Sequence, residues 1–424
     1  MRTVLRVSLL RVSLVAVAVA SLAGSATSQV LQPGDLVVTN FQPPGLFRVD
    51  RAGVASAVPG SATALAGPAG VTTTLDGGAV VCDFNGNRLV RFAADGTVSI
   101  LAPGLGGPIR VATDHDGSFV VAAINPPQIV RVDANGNTTP LASFTSSRQR
   151  PFGIVVDRDR NIVFTTDLTP GVHHLDVVTN VITPLVTGQP LRLPQGVSLL
   201  PDGDYAVIDG LTDSVFRITR GVNQITTWVS NAALAGNPEG IWPNDDGGFF
   251  IAQSASNNNR IALVDAAGAV GTFTQGAPFT NIEDCARIRE LFGPVAPLTT
   301  GSSGQASLAL DFGTGSATRL YSISLSASAW PGLPLLFDSR STTIAPDSLF
   351  LATFLRDAPP FFTGFVGFLD PNGRATASID LRALPAGLLA GATLFAQGFE
   401  FVTPGPYGGS DFGRFSNVVA LRFQ

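Results

Sequence analysis

The 424-residue sequence contains no lysine, only two cysteines and only three histidines. All 26 basic residues are therefore arginines, and 31 acidic residues outnumber them, which gives a formal net charge of -5. A chain with this charge balance lacks the basic surface that a nucleic-acid backbone requires, so we expect no nucleic-acid partner. Two cysteines cannot form a disulfide framework, and Cys82 and Cys285 allow two interpretations, a single disulfide or two buried thiols.

Long apolar runs are also scarce. The sequence has 46 Gly and 30 Pro, which interrupt helices, and it is 45% hydrophobic, which favours an all-β protein with large cores and many turns. One long apolar run, Val12 to Ala23, follows three arginines near the start. This run is too short to span a bilayer, and its layout predicts a secretory signal over residues 1–28. We therefore expect a secreted or cell-envelope protein without a membrane span.

A repeat organises the first two thirds of the chain. Similar segments begin at Pro68, Pro108, Pro151, Pro194 and Pro238, at spacings of 40 to 44 residues. Within each copy, short β-branched runs alternate with Asn-Gly or Asp-Gly turns, as in GAVVCDFNGNRLVRFAADG. A period of this length with four strands in each copy is typical of β-propeller blades.

The two ends of this module predict a sixth blade. Residues 35–58 supply three strands without an inner one, and the strand NIEDCARI, from Asn281, comes one period after Pro238. Placing this strand inside the N-terminal three pairs two otherwise exposed sheet edges. The sequence thus predicts a six-bladed β-propeller over residues 29–290, closed by its C-terminal strand.

A second module follows the repeats. Residues 291–305 are rich in Gly, Pro, Ser and Thr and predict a linker. About seven short strands then predict a β-sandwich over residues 306–424, where 14 of the 28 Phe residues can build the core. Phe361 and Phe362 lie among prolines and a glycine, and we expect them in this core rather than in an exposed contact patch.

Several stretches carry family resemblances. GGAVVCDFNGNRLVRFAADG and NNNRIALVDAAG resemble NHL-type propeller blades. PEGIWPNDDGGFFIAQS and PQGVSLLPDGDYAVID are similar to the gluconolactonase and senescence-marker (regucalcin-like) propellers, and this likeness covers roughly residues 35–290. LPAGLLAGATLFAQ and SNVVALRF resemble C-terminal modules on exported proteins of planctomycete-type bacteria, which implies secretion and architecture rather than chemistry.

The lactonase-like resemblance implies a divalent cation such as Ca²⁺ in the propeller channel, because that family holds a metal there with oxygen ligands. Glu239 matches the family's glutamate ligand and is the candidate catalytic residue of a hydrolase. Gln195 stands where the family has an asparagine, and Asp209 and Glu283 complete the candidate metal ligands. Asp209 also ends a second strand, where a carboxylate commonly accepts hydrogen bonds from turn N–H groups.

His115 is the second catalytic candidate, because virginiamycin B lyase, another propeller enzyme, uses a histidine to carry a proton. Its position between two aspartates in TDHDGS also fits an ordinary turn. The function that we expect is that of an exported binding or interaction scaffold, with the sandwich as an accessory module. Its partner is an unknown small molecule, glycan or protein at a propeller face. A metal-dependent lactonase-like hydrolase and a lyase that uses His115 are the alternatives.

Overall fold

The computed structural model describes residues 29–424 except 235, 245–246, 255–258, 302–303, 330–339, 341, 355–360 and 403–410. The predicted signal segment, residues 1–28, lies outside the described residues. In the part of the chain that is described, no helix is both long enough and apolar enough to cross a membrane.

Six four-stranded antiparallel sheets form the first module within these residues. Their strands are β1 (Leu36–Asn40), β2 (Gly45–Val49), β3 (Ala55–Ala57), β4 (Pro68–Thr73), β5 (Ala79–Asp83), β6 (Arg88–Phe92), β7 (Val98–Pro103), β8 (Pro108–Thr113), β9 (Phe119–Ile124), β10 (Pro127–Val132), β11 (Thr138–Ser143), β12 (Pro151–Val156), β13 (Ile162–Thr166), β14 (Gly171–Asp176), β15 (Val181–Thr187), β16 (Pro194–Leu199), β17 (Tyr205–Asp209), β18 (Ser214–Thr219), β19 (Gln224–Val229), β20 (Pro238–Pro243), β21 (Phe249–Gln253), β22 (Arg260–Val264), β23 (Val270–Gln275) and β24 (Ile282–Arg287). Two short helices, α1 (Ser61–Ala64) and α2 (Asn231–Leu234), connect sheets.

The predicted six-bladed propeller and its closure are confirmed. The sheet that we call blade 1 has the order β24-β1-β2-β3, and blades 2 to 6 are the five sheets that follow along the chain. β24 pairs antiparallel with β1, with Cys285 opposite Val38, so the C-terminal strand is the innermost strand of blade 1. This pairing satisfies backbone groups at both ends of the module.

Apolar side chains fill the spaces between neighbouring blades. Val37 of blade 1, for example, shares a buried cluster with Val81 and Val90 of blade 2. Cys82 and Cys285 lie in two different clusters of this kind, and both are buried free thiols. The sequence allows either a disulfide or two buried thiols, and in the structure the two cysteines are buried thiols that do not pair.

The second module is a β-sandwich, as predicted. Its described strands are β25 (Leu291–Phe292), β26 (Gln305–Asp311), β27 (Leu320–Ser326), β28 (Phe362–Thr363), β29 (Val366–Phe368), β30 (Arg374–Asp380), β31 (Thr393–Val402) and β32 (Asp411–Arg422), with α3 (Ser348–Phe354) and two 3₁₀ helices (Thr314–Ser316, Leu381–Ala383). The sheets β25-β26-β30-β28 and β29-β27-β31-β32 pack through residues such as Leu308, Ile323 and Leu421. Phe361 and Phe362 pack against this core. β25 lies inside the segment for which the sequence predicts a linker.

The sandwich is attached directly to the end of the propeller. The side chain of Asn417, on β32, accepts hydrogen bonds from the backbone N–H groups of Glu290 (2.8 Å) and Leu291 (2.9 Å) and donates one to the carbonyl of Leu291 (2.9 Å). Arg51 of blade 1 donates to the carbonyl of Asp311 at 3.0 Å. Asn417 thus holds the sheet β29-β27-β31-β32 at the end of the propeller, and Arg51 holds the sheet β25-β26-β30-β28 there.

Candidate functional site

The third residue of each inner strand lies where neighbouring inner strands come closest. A Cβ atom added at Gly153 would lie 2.1 Å from the carbonyl oxygen of Gln195, on the next inner strand. Four inner strands have glycine at this position, namely Gly70, Gly153, Gly196 and Gly240. On these four strands the backbone of the next inner strand leaves no room for a Cβ atom, so glycine fits and a side chain does not.

The other two inner strands carry charged residues at this position. Arg110 on β8 and Asp284 on β24 have the same pairing register as Gly240 on β20. The glycines on neighbouring strands leave space for both side chains next to the channel axis. The Nε atom of Arg110 lies 3.7 Å from Oδ2 of Asp284, and its Nη2 atom lies 3.8 Å from Oε2 of Glu239.

Arg110 is held in place by further contacts. It donates hydrogen bonds to the carbonyls of Ile109 (3.1 Å) and Glu283 (3.2 Å), and its guanidinium carbon lies 5.3 Å from the ring centre of Phe152. Only 4% of the residue is exposed. A buried arginine with carboxylates and an aromatic face around it forms a fixed positive centre across the channel.

Three carboxyl groups surround this positive centre. Burial raises the pKa of Asp284 to about 6, although Arg110 and hydrogen bonds from two backbone N–H groups lower it. Burial also raises the pKa of Glu239, against the effect of Arg110 and of a hydrogen bond from Asn237. Burial and the charge of Glu239 raise the pKa of Glu283 to about 8. One guanidinium cannot compensate three carboxylates, so Glu283 largely retains its proton near neutral pH.

The predicted metal ligands are only partly brought together. Glu239 and Glu283 lie around Arg110, whereas Asp209 accepts hydrogen bonds from the backbone N–H groups of Arg192 (2.6 Å), Leu193 (2.8 Å) and Thr212 (2.9 Å). Asp209 therefore has the turn-binding role that its strand-end position also predicted. Across the described ranges, no group of three or more His, Cys, Asp or Glu side chains is arranged to hold a metal ion. The divalent cation stays a prediction.

Gln195, the remaining candidate ligand, has its side-chain amide beside Gly210. Its buried Oε1 atom has no hydrogen-bond partner among the residues that the structure describes, and this atom lies 2.3 Å from the position that a Cβ of Gly210 would occupy. Its backbone carbonyl accepts a hydrogen bond from the hydroxyl of Thr165 at 2.8 Å. The side chain thus packs against the end of the second strand of its own blade.

On the other side of Arg110, the channel widens into a cavity of about 290 Å³. Arg110 and Asp284 line one end of the cavity. Its walls come from the later residues of the inner strands, including Val71, Val111, Ile154, Val197 and Ile241. Phe395 of β31 and residues 417–420 of β32 close the other end. Glu239 and Glu283 come one strand position before the level of Arg110 and Asp284. The Arg110–Asp284 pair therefore lies between these two glutamates and the cavity.

His115 lies at the sandwich end of the cavity. It occupies the turn between β8 and β9, and its ring makes an edge-to-face contact with Phe395 of the sandwich at 6.4 Å between ring centres. Neither ring nitrogen forms a hydrogen bond to a residue of the described chain. Burial lowers the pKa of His115, Arg289 and Arg160 lower it further, and Asp114 opposes them. The neutral imidazole is therefore favoured near neutral pH.

The sequence contains a signal for Arg110 and Asp284 that our expectations missed. Glu239, Gln195 and Glu283 occupy the second position of their inner strands, but the charged pair stands one position later, where it interrupts a Pro-x-Gly pattern. Two residues of opposite charge at a position that is otherwise glycine indicate an ion pair between the two strands. No comparable sequence signal exists for the sandwich residues that close the cavity.

Comparisons with known proteins agree with the fold. No protein-family model matches the sequence, and no curated protein is similar enough to count as a relative. Among solved structures, a chain from a nidogen/laminin complex aligns with 59% of this chain and 97% of its own length, at 16% identity and a TM-score of 0.52.

Two propeller enzymes are also similar in structure. A streptogramin B lyase aligns with 65% of this chain and 84% of its own, at 15% identity and a TM-score of 0.44. A gluconolactonase from Xanthomonas campestris aligns with 48% and 74%, at 19% identity and a TM-score of 0.42. Identities this low carry no function from one protein to another. Together with the sheet order, the nidogen/laminin match supports a propeller fold for this chain.

Proposed function

We propose that this protein is a binding protein that encloses a small organic molecule between the propeller channel and the sandwich. One observation carries the proposal: the 290 Å³ cavity has walls from the inner strands of the propeller and an end wall from the sandwich. Its size is close to the lower limit of small-molecule pockets, about 300 Å³. Aliphatic walls with a few polar side chains at the ends are also typical of such pockets.

The arrangement around Glu239 favours this function over a lactonase-like hydrolase. A metal-dependent hydrolase needs carboxylate oxygens that are available to a cation. Here the carboxylate of Glu239 lies 3.8 Å from a guanidinium nitrogen of Arg110, and Asp209 binds backbone N–H groups of its own blade. The positive charge of Arg110 stands close to where the cation would bind and opposes it.

An acid–base reaction in the same cavity is the second candidate function. It is favoured by His115, which lines the cavity and whose lowered pKa keeps the imidazole neutral and able to accept a proton. A substrate would reach this ring from the same space that we assign to the ligand. A His115→Ala variant separates the two functions, because it removes turnover in an enzyme but leaves most ligand binding in a binding protein.

Fluorescence titration with N-phenylnaphthylamine, an uncharged apolar probe, tests the proposal on the full chain. The Ala420→Trp substitution places a large side chain in the cavity from the sandwich side, and Ala309→Trp adds the same side chain at an exposed position of β26. We expect saturable binding to the wild type and to Ala309→Trp, and at least a tenfold loss in Ala420→Trp. Equal binding to all three proteins would reject the cavity as the site.

A further inference from the structure

We infer that the ligand of this cavity is an apolar molecule with an acceptor oxygen, such as a carbonyl or ether oxygen, that accepts a hydrogen bond from the hydroxyl group of Ser198. The inference rests on the proposed function and adds the chemical class of the ligand. It places this oxygen along the body of the ligand, against the inner strand of blade 5, rather than at the charged end beside Arg110.

Ser198 is a buried polar residue in the wall of the cavity. It is the fifth residue of β16, it lines the cavity, and 3% of it is exposed. Its Oγ atom has no hydrogen-bond partner in the described chain. A buried hydroxyl without a partner is costly, and most buried polar side-chain atoms have one. The unpaired hydroxyl therefore indicates a partner from outside the chain, and the cavity is the space that Ser198 borders.

The equivalent position in blade 2 shows how a hydroxyl is paired at this level of the wall. Thr72 is the fifth residue of β4, and its Oγ1 atom lies 3.0 Å from Oγ1 of Thr113, the sixth residue of β8. The hydroxyl of Thr113 in turn donates to the backbone carbonyl of Thr73 at 2.7 Å. Because Thr113 uses its proton there, Thr72 donates to Thr113. A hydroxyl at the fifth position thus faces the next blade and is paired with its sixth residue.

Blade 5 has the same strand geometry but lacks this partner. β4 and β16 both pair with their second strands through an irregularity between the first and fourth residues. The strands that follow, β8 and β20, both have theirs between the first and third residues. β16 and β20 therefore match β4 and β8, and Pro243 stands where Thr113 stands. Pro243 also lines the cavity, and its side chain has no hydrogen-bonding group, so it leaves the hydroxyl of Ser198 unpaired.

The hydroxyl of Ser198 reaches a ligand by rotation about a single bond. The Oγ atom of a serine has three staggered positions, and its hydrogen rotates as well. A serine has one O–H to donate, so an acceptor oxygen on the ligand matches it. Ser198 lies two strand positions beyond the level of Arg110, which is about 7 Å along the strand. The acceptor oxygen therefore belongs to the body of the ligand.

A matched pair of competitors tests the inference by displacing N-phenylnaphthylamine from the full chain. Methyl naphthyl ketone and isopropenylnaphthalene have the same shape, and the carbonyl oxygen of the first is a methylene group in the second. A wall without a donor favours the alkene, because the carbonyl loses its hydrogen bonds to water. We expect the wild type to bind the ketone at least as tightly as the alkene. The Ser198→Ala variant should lower the ratio of ketone to alkene affinity about fivefold, which corresponds to the loss of one hydrogen bond.

Ser316→Ala is the matched control. It removes another buried hydroxyl without a partner in the described chain, in the sandwich and outside the described lining of the cavity. This variant should keep the wild-type ratio. The melting temperature of Ser198→Ala should not fall, because the substitution removes no hydrogen bond within the protein. A fall would assign the hydroxyl a structural role and overturn the inference.

The outcomes distinguish the inference from the function on which it rests. Binding of N-phenylnaphthylamine to Ser198→Ala shows that this variant folds. An equal ratio in the wild type and in Ser198→Ala overturns the acceptor oxygen while the proposed function stands, and so does a wild-type preference for the alkene. Failure of N-phenylnaphthylamine to bind the wild type overturns the proposed function and the inference with it.

Discussion

Arg110 and Asp284 occupy equivalent positions on two inner strands, and the Nε atom of the arginine lies 3.7 Å from Oδ2 of the aspartate. Glycine holds this position on the other four inner strands of the described propeller. The pair therefore fills space that the glycines leave, and it separates the acidic mouth around Glu239 from the cavity beneath the sandwich. This division explains why Glu239 and His115, the two catalytic candidates from the sequence, belong to different sites.

The Arg110→Met substitution should strongly destabilise the propeller. It leaves the buried carboxyl groups of Asp284 and Glu239 without their positive partner, and breaking a buried pair in this way costs about 3 to 5 kcal/mol. The free energy of unfolding in urea measures the effect. Asp284→Asn combined with Arg110→Met should lose less stability than the sum of the two single variants, and strict additivity would contradict the pairing.

The Gly240→Ala substitution tests the close approach of neighbouring inner strands. An added Cβ would lie 2.1 Å from Oδ1 and 2.7 Å from Cα of Asp284, and the neighbouring backbone cannot move without disturbing the ring. We expect a loss of roughly 2 to 4 kcal/mol in the free energy of unfolding. Gly271→Ala on the outer strand β23, where the nearest atom is 3.8 Å away, is the control and should change stability by less than about 1 kcal/mol.

The stability of the folded protein should decrease as the pH rises from mildly acidic to mildly alkaline, partly because of Glu283. Burial and the charge of Glu239 raise its pKa from 4.5 to about 8, so the folded state holds a proton that the unfolded chain releases at lower pH. Its contribution to stability is complete below the unfolded pKa and is lost as the pH rises through the folded pKa. The Glu283→Gln variant should lose less melting temperature than the wild type between about pH 5 and about pH 9. Parallel curves for the two proteins would show that Glu283 does not titrate in this range.

The Asn417→Ala substitution should weaken the attachment of the sandwich to the propeller. It removes three hydrogen bonds to residues 290 and 291, at about 1 kcal/mol each. Differential scanning calorimetry should then resolve separate transitions for the two modules, and N-phenylnaphthylamine should bind more weakly because the cavity needs both. Asn372→Ala, at an exposed turn of the sandwich, is the matched control. One unchanged cooperative transition in both variants would contradict the role of Asn417.

Much of the architecture could be predicted because it depends on short-range patterns. Asn-Gly and Asp-Gly turns, alternating β-branched residues and a period of 40 to 44 residues determine blades, and an unpaired strand at each end predicts their closure. The sequence also predicts the turn-binding role of Asp209, because a carboxylate at a strand end meets backbone N–H groups that are close by. The proposed metal ligands, in contrast, required side chains from different blades to converge, and Asp209 points to its own blade instead.

The sequence by itself determined the blade repeat, the closing strand and the presence of a second all-β module, since each follows from residues that are close in sequence or repeated at one period. Only the tertiary structure decided that Arg110 meets Asp284, and that Phe395 and His115 share one cavity. The contact between Arg110 and Asp284 joins strands that are far apart in the chain. The contact between His115 and Phe395 joins the propeller to the sandwich, which does not share the blade repeat. Their geometry depends on how the closed ring and the sandwich pack, which no local pattern of residues specifies.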